Sequence, residues 1–197
     1  MGKELNAAAE TGAVYIQRRP SNESEVSVNI FILDRDPAIA AQMQCDKHVV
    51  KMPLESAQML STAHHVCGSP SLDSSAPLYK LAFKNHPCSI WVRESRANYI
   101  WLYKHFKALC DEYSYRYFKL HKSWFLLGDA LATPPAGVPD DVLTPFAQAM
   151  PDEYKDPDAV VAYRQYYVGE KYRFLQYRNR RRPAWVSKAI DVNALTH

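Results

Sequence analysis

Two long stretches of helical periodicity constrain this chain more than any other feature. Between Ser89 and Leu120, Trp91, Tyr99, Leu102, Phe106 and Leu109 return at the spacing of one helix face, while Arg93, Arg96, Lys104, Lys107 and Glu112 fall largely elsewhere. The other stretch runs from Ala38 to Lys51 and on from Leu54 to His65. Pro53 interrupts it by removing a backbone donor and crowding the preceding turn, so a kink or a restart is expected there. Asp34 or Asp36 can cap the start of this stretch, with Pro37 in the first helical position. Asn85-His86-Pro87 marks the start of the Ser89 segment, and Asp156-Pro157-Asp158 caps a last helix from Ala159 to about Arg178. Only Val28 to Leu33 is short and apolar enough for a strand, and it reads equally well as a buried extended lead-in. The expected class is therefore all-α, a mostly helical single domain with at most one short N-terminal strand.

The remaining segments set the boundaries. Residues 1–27 are polar and mixed in charge and read as an N-terminal extension or arm, and residues 189–197 as a C-terminal tail. Cys67 to Ser75 is a loop rich in Gly, Ser, Pro and Asp. Residues 133–157 hold six prolines and an excess of acids, which predicts a long ordered loop wrapping a domain that spans 28–188. The apolar runs are too short to span a bilayer, and no signal peptide opens the sequence. Four scattered cysteines without a CxxC pair fit reduced thiols, hence a cytoplasmic protein.

The chemistry concentrates on the helix that crosses Pro53. His48, Lys51, Glu55, Gln58, Thr62 and His65 share one stripe, which gathers imidazoles, an amine and a carboxylate. General acid/base or nucleophilic catalysis needs those groups, although a wet polar face on a core helix would show the same residues. His64, His65 and Cys67 with His86 and Cys88 lack the two compact ligand pairs of a structural zinc site, so no metal is expected. No Walker loop, dinucleotide fingerprint or Gly-x-Ser-x-Gly elbow is present, and six glycines offer little to cradle a polyphosphate. No cofactor is expected.

A basic aromatic stretch closes the domain. From Ala159 to Lys188 eight basic residues face one acid, Glu170, with Tyr163, Tyr166, Tyr167, Tyr172, Phe174, Tyr177 and Trp185 interleaved. Basic groups neutralise phosphates and aromatic faces stack on exposed bases, so Arg178, Arg180, Arg181, Arg182 and Trp185 are candidate nucleic-acid contacts. The alternative is that the tyrosines pack on the core and the arginines are solvated. Arg93 and Arg96, three apart near a helix start, could grip one anion or simply pair with neighbouring acids.

The runs Asn29 to Asp34, Cys45 to Met52, Asn85 to Tyr99, Met150 to Tyr154 and Tyr166 to Lys171 resemble a small bacteriophage protein family, over roughly residues 28–186. The layout also resembles the phage pyrimidine-dimer DNA glycosylases of the endonuclease V type. That resemblance implies a helical fold whose early helix bears a catalytic Arg-Glu pair. It also implies a central histidine before a long helix and a basic C-terminal segment ending in Arg-Pro-x-Trp. Lys47-His48 or Lys51-Glu55 would lie near the pair, His86 would be the histidine, and Arg182 to Trp185 matches the ending.

One departure matters. The family attacks the sugar with the amine of its own first residue, whereas 27 residues precede Val28 here. Lys47 or Lys51, desolvated, could supply an amine instead; otherwise Glu55 or Asp46 would activate water. The expectation is a phage or prophage DNA glycosylase-like enzyme, with or without lyase activity, in the host cytoplasm. It would act on a damaged or modified base in duplex DNA, with a flipped nucleotide held by Lys47, His48, Lys51, Glu55 and His86. The alternatives are a non-catalytic nucleotide-binding phage protein that blunts a host defence, and a base-modifying transferase on the same fold.

Overall fold

The computed structural model describes residues 28–68 and 77–195, with side chains to residue 189. The proposed arm at 1–27 lies outside the described residues, as does most of the Gly/Ser/Pro loop. Seven α-helices follow in order: α1 (Pro37–Met43), α2 (Asp46–Cys67), α3 (Pro87–Glu94), α4 (Arg96–Tyr117), α5 (Lys122–Leu127), α6 (Ala159–Lys171) and α7 (Ala184–Leu195). Single 3-10 turns lie at Asp152–Tyr154 and Tyr172–Phe174. There is no strand among the described residues. The all-α expectation holds.

Local chemistry explains the helix boundaries. Asp36 caps α1, its Oδ1 accepting from the N–H groups of Ala38 (2.8 Å) and Ile39 (3.0 Å) ahead of Pro37. The expected continuous helix from Ala38 to Lys51 breaks at Gln44, whose backbone turns extended. Its amide goes inward instead and donates to Ile30 O (3.1 Å) and His105 Nε2 (3.2 Å). Likewise the Ser89–Leu120 segment is two helices. Ser95 adopts extended backbone and its Oγ accepts from Asn98 N–H (3.1 Å), a cap that starts α4 anew. At Pro53 the expectation of a restart fails. α2 runs through it as one helix of 22 residues.

α4 packs against both α2 and α1, and α3 packs against α2 and α4. Met52, Met59 and Leu60 meet Leu102, Phe106 and Leu109 in the core, with Tyr163 and Tyr167 of α6 against the same cluster. Fully burying such side chains contributes roughly 1.5–3 kcal/mol each. Residues 28–33 thread this core as an extended segment, buried throughout. With no neighbouring strand, its backbone is satisfied by side chains: Gln44 donates to Ile30 O, Arg164 donates to Leu33 O (2.9 Å), and Asn29 N–H finds a carboxylate.

The Pro-rich segment 133–157 is tied to α4 and α6 by hydrogen bonds. Asn98 donates to Thr144 Oγ1 (2.7 Å) and accepts from Thr144 N–H (2.9 Å), and Tyr163 donates to Ala147 O (2.8 Å). Gly137 lies against the Cys67 carbonyl, where a Cβ would not fit. The last helix departs from expectation. α6 stops at Lys171, and residues 175–183 run irregularly because they pair with the start of α2, Asp46 N–H donating to Gln176 O (2.8 Å). The segment read as a tail from 189 continues α7 to Leu195.

Candidate active site and nucleic-acid interface

Glu55 sits on the buried side of α2, its residue only 3% exposed. An isolated buried carboxylate is costly, and here one hydrogen-bond donor and one ion pair offset that cost. The Asn29 backbone N–H donates to Oε2 (3.1 Å), and the Lys51 ammonium one turn earlier lies 2.8 Å from Oε1. Asn29 is held in turn, its side-chain amide donating to Ala149 O (2.8 Å). Three distant parts of the chain therefore converge on one carboxylate: the lead-in segment, α2 and the Pro-rich segment. Lys51 has half its side chain in solvent, which puts the Glu55 charge within one ammonium of the surface.

His48 lies one turn before Lys51 and is buried. Its ring stacks on Phe31 at 4.3 Å, and Phe31 stacks on Tyr166 at 6.2 Å. The Tyr167 hydroxyl accepts from Cys45 N–H (2.7 Å) and lies 2.9 Å from His48 Nδ1, an arrangement that suits a neutral imidazole accepting the phenol proton. Burial, and then the positive charges of Lys171, Lys51 and Lys47, push the His48 pKa down to about 3. Lys47 is placed over the Phe174 ring (4.6 Å) and Lys171 over Tyr166 (4.9 Å). Phe31 holds this stack from a left-handed backbone, φ 56°, which a non-glycine residue adopts at a cost. The result is a buried carboxylate beside an aromatic stack, rimmed by three lysines.

Other candidate residues are placed differently. His86 caps α3, its Nδ1 accepting from Cys88 N–H (3.2 Å), so one ring nitrogen serves the fold. Cys88 itself is wholly buried, with burial and the Glu55 charge raising its pKa to about 12. The outer half of the α2 stripe is structural: Thr62 Oγ1 donates to Ala82 O (2.7 Å) and His65 donates to Tyr79 O (2.8 Å). His64 bonds the Tyr99 hydroxyl (2.8 Å). Among the described residues no group of three or more His, Cys, Asp or Glu side chains is arranged to hold a metal ion.

The basic segments divide in the same way. The Arg93 guanidinium donates to Lys84 O (2.7 Å) and Ser89 O (3.1 Å), so it closes the end of α3, while Arg96 is exposed. Arg180 pairs with the buried carboxylate of Glu112, its Nε 2.9 Å from Oε1. Glu112 also holds Arg116 (2.7 Å), which is wholly buried and reaches Asp46 (2.9 Å). Asp46 accepts from the Arg178 backbone N–H (2.9 Å), so it belongs to this network and not to the site around Glu55. Trp185 on α7 is half-buried against α6, with the Arg164 guanidinium over its ring (5.4 Å). Arg181 and Arg182 stay exposed and line a surface cavity of about 400 Å³ with Gln42, Met43 and Pro183. The sequence reading missed Phe31 and the role of Asn29. The alternation of aromatic and basic residues in α6 was the one signal for Tyr166, Tyr167 and Lys171.

An all-helical domain that turns a buried glutamate, paired with a half-exposed lysine, toward a lysine-rich rim has the groups for chemistry on a polyanion. A family model described as pyrimidine dimer DNA glycosylase matches residues 28–126, half of the chain, and the protein belongs to that family. The match contains Asn29, His48, Lys51, Glu55 and His86. It supports a DNA glycosylase-like activity on damaged DNA, with DNA as the partner. No curated protein matches the chain, and no solved structure does. No helix of the described residues is long and apolar enough to cross a membrane.

Proposed function

We propose that this protein is a DNA glycosylase that excises a damaged base, of the pyrimidine-dimer class, from duplex DNA. The observation that carries the reading is Glu55, buried within the family-matched segment yet held by Lys51 at 2.8 Å and Asn29 N–H at 3.1 Å. Breaking the bond between C1′ and the base develops positive charge on the sugar. A carboxylate kept dry stabilises that charge far better than one in water. A flipped nucleotide would enter between Glu55 and the lysine rim, with Lys47, Lys51 and Lys171 on its phosphates and the exposed Arg96, Arg181 and Arg182 on the flanking duplex. Resemblance of the Asn29 to Asp34 and Cys45 to Met52 runs to bacteriophage proteins supports a phage or prophage setting and a host-cell cytoplasm.

A lyase step requires an amine. In the full chain the Asn29 nitrogen is an amide and cannot attack. Lys51 can act once its ammonium passes a proton to Glu55, the acceptor already 2.8 Å away. Its Nζ lone pair then forms a bond to C1′ as the base leaves with the glycosidic electron pair and takes up a proton from Nζ. The C1′–O4′ bond next breaks, O4′ taking the proton held by Glu55, and the ring-opened iminium is reducible by borohydride. A chain beginning at Asn29 would instead place an α-amine at the same carboxylate.

The test is incubation of the full chain with duplex DNA bearing a cyclobutane dimer or an abasic site, with borohydride added. Base release with an adduct on Lys51 supports the lyase reading. Base release without an adduct makes the enzyme monofunctional, with Glu55 activating water. Release should vanish in Glu55→Gln while binding stays within a few-fold. Absence of release from every lesion would overturn the proposal and leave a nucleotide-binding role.

A further inference from the structure

The corner between α4 and α5 carries large apolar side chains that the fold does not bury. Phe118 is 82% exposed, Leu120 60% and Phe125 75%. Phe118 ends α4 in the left-handed conformation, φ 55°, its N–H donating to Ser114 O (2.9 Å). Glycine is the usual residue there, because a Cβ is crowded in that conformation. Folding therefore gains neither burial nor backbone ease from a phenylalanine at 118.

The charge around this corner is one-sided. No Asp or Glu occurs between Tyr113 and Gly128, while Lys119 and Lys122 flank the apolar tip in solvent. On one side the corner adjoins the basic C-terminal segment: Arg178 lies over Tyr117 (5.7 Å), Arg180 over Tyr115 (4.4 Å), and Asn179 donates to Arg116 O (3.3 Å). On the other side it is fastened to the catalytic helix. His121 donates from Nε2 to Val50 O (3.2 Å) and accepts from Ser123 N–H at Nδ1 (3.2 Å). Val50 precedes Lys51, and Lys47, Val50, Lys51 and Leu54 are the exposed residues of that stretch of α2. An apolar tip with basic flanks thus hangs on the turn of α2 that carries the lysine rim.

We infer that Phe118, backed by Leu120, is an intercalating wedge that enters the base stack of duplex DNA while Lys119 and Lys122 hold the adjoining phosphates. Apolar wedges of this kind unstack a base step and kink the helix, which lowers the cost of extruding a nucleotide. The wedge rests on the reading of the Glu55 site as a glycosylase centre, and it assigns the opening of the duplex to a different part of the surface. Chemistry and unstacking are then separable.

The test uses the full chain and a duplex with 2-aminopurine beside a cyclobutane dimer, reading unstacking by fluorescence and base release by gel in the same sample. Phe118→Ala should lose most of the fluorescence rise and lower kcat/KM roughly ten- to hundredfold, as expected for removing one base-stacked aromatic. Phe118→Trp should restore both. Glu55→Gln should abolish release yet keep the fluorescence rise. A wild-type rise that Phe118→Ala leaves intact would overturn the wedge while the glycosylase reading stands, and would assign the apolar corner to a protein partner. No rise with wild-type protein also overturns it. A rise that depends on Phe118 but accompanies no base release would keep the wedge and remove the glycosylase reading.

Discussion

Arg180 separates two accounts of the basic C-terminal segment. If its guanidinium serves the fold, Arg180→Ala should lower stability; if it serves DNA, the variant should lower affinity and leave stability alone. Its side chain is 29% exposed and makes two bonds to Glu112, a carboxylate only 3% exposed. Hydrogen bonds to charged groups contribute about 1.5–3 kcal/mol. Glu112 keeps Arg116 at 2.7 Å in the variant, so it is not left unpaired and the lower end applies, about 1–2 kcal/mol. At roughly 2–4 °C per kcal/mol for a domain of this size, Tm should fall by about 2–8 °C. Arg116→Met removes a wholly buried cation from Glu112, Asp46 and Gln42 O (3.0 Å). It strands two acids with one partner each and should cost about 3 kcal/mol or more. The double variant should lose more than the sum, because Glu112 then has no cation at all. Thermal melts by circular dichroism, with DNA affinity measured across salt concentrations, decide the matter. The reasoning is refuted if Arg180→Ala melts within about 1 °C of wild type yet loses as much DNA affinity as Arg181→Ala.

Stability should fall with acid in a way set by buried histidines. Burial, first of all, lowers His48 to about 3 and His105 to about 4, both below the ordinary value of 6.5. The unfolded chain therefore binds protons that the folded chain refuses, so their contribution is complete above pH 6.5 and is lost as pH falls toward 4 and then 3. Each costs on the order of 2 kcal/mol at pH 5, and urea midpoints that stay flat from pH 7 to 5 would exclude neutral burial. Asn98→Ala removes the ties to Trp91 O (2.7 Å) and Thr144, and should cost about 2–3 kcal/mol and admit protease at residues 139–147 before the helices open. Phe118→Gly, which relieves the left-handed backbone, should raise stability by about 1 kcal/mol or leave it unchanged, seen as an upward Tm. A marked loss there would mean Phe118 packs on something. Changing Lys47 and Lys171 together to Ala should reduce the salt dependence of DNA binding by one to two counterions, read from the slope of log affinity on log salt.

The class of fold was legible because α2 and α4 carry unambiguous helical periodicity and because Asp36 and Asp158 cap where acids before an apolar run should. The break at Gln44 was not legible, since it depends on Ile30 and His105, partners far away in the chain. The break at Ser95 rests on a local cap, its Oγ accepting from Asn98 N–H, which the reading of one continuous helix overlooked. At the site, Lys51 and Glu55 share a stripe through i,i+4 spacing, but a wet polar face on a core helix would show the same residues. Spacing could not reveal which half of that stripe gathers around the buried carboxylate and which half fastens a loop. Thr62 and His65 have the same period, and only their contacts to Ala82 and Tyr79 show that they fasten a loop. The basic segment is ambiguous for a related reason. Arg180 and Arg182 look alike in sequence, yet a carboxylate 68 residues earlier claims one of them.

The buried carboxylate also explains why the lead-in segment threads the core without a strand partner. A neighbouring strand would have taken the Asn29 N–H, and Glu55 would then face the interior with Lys51 alone. Keeping residues 28–33 single leaves that donor free, but each remaining backbone group must be satisfied separately, by Gln44, Arg164 and the Phe31 turn. The left-handed Phe31 follows from the same constraint, because Leu33 N–H must fold back to Phe31 O (2.9 Å) while the ring stacks on His48. The strain and the unpaired extended segment thus belong to one arrangement, in which stability is given up locally to hold a charge dry beside the surface.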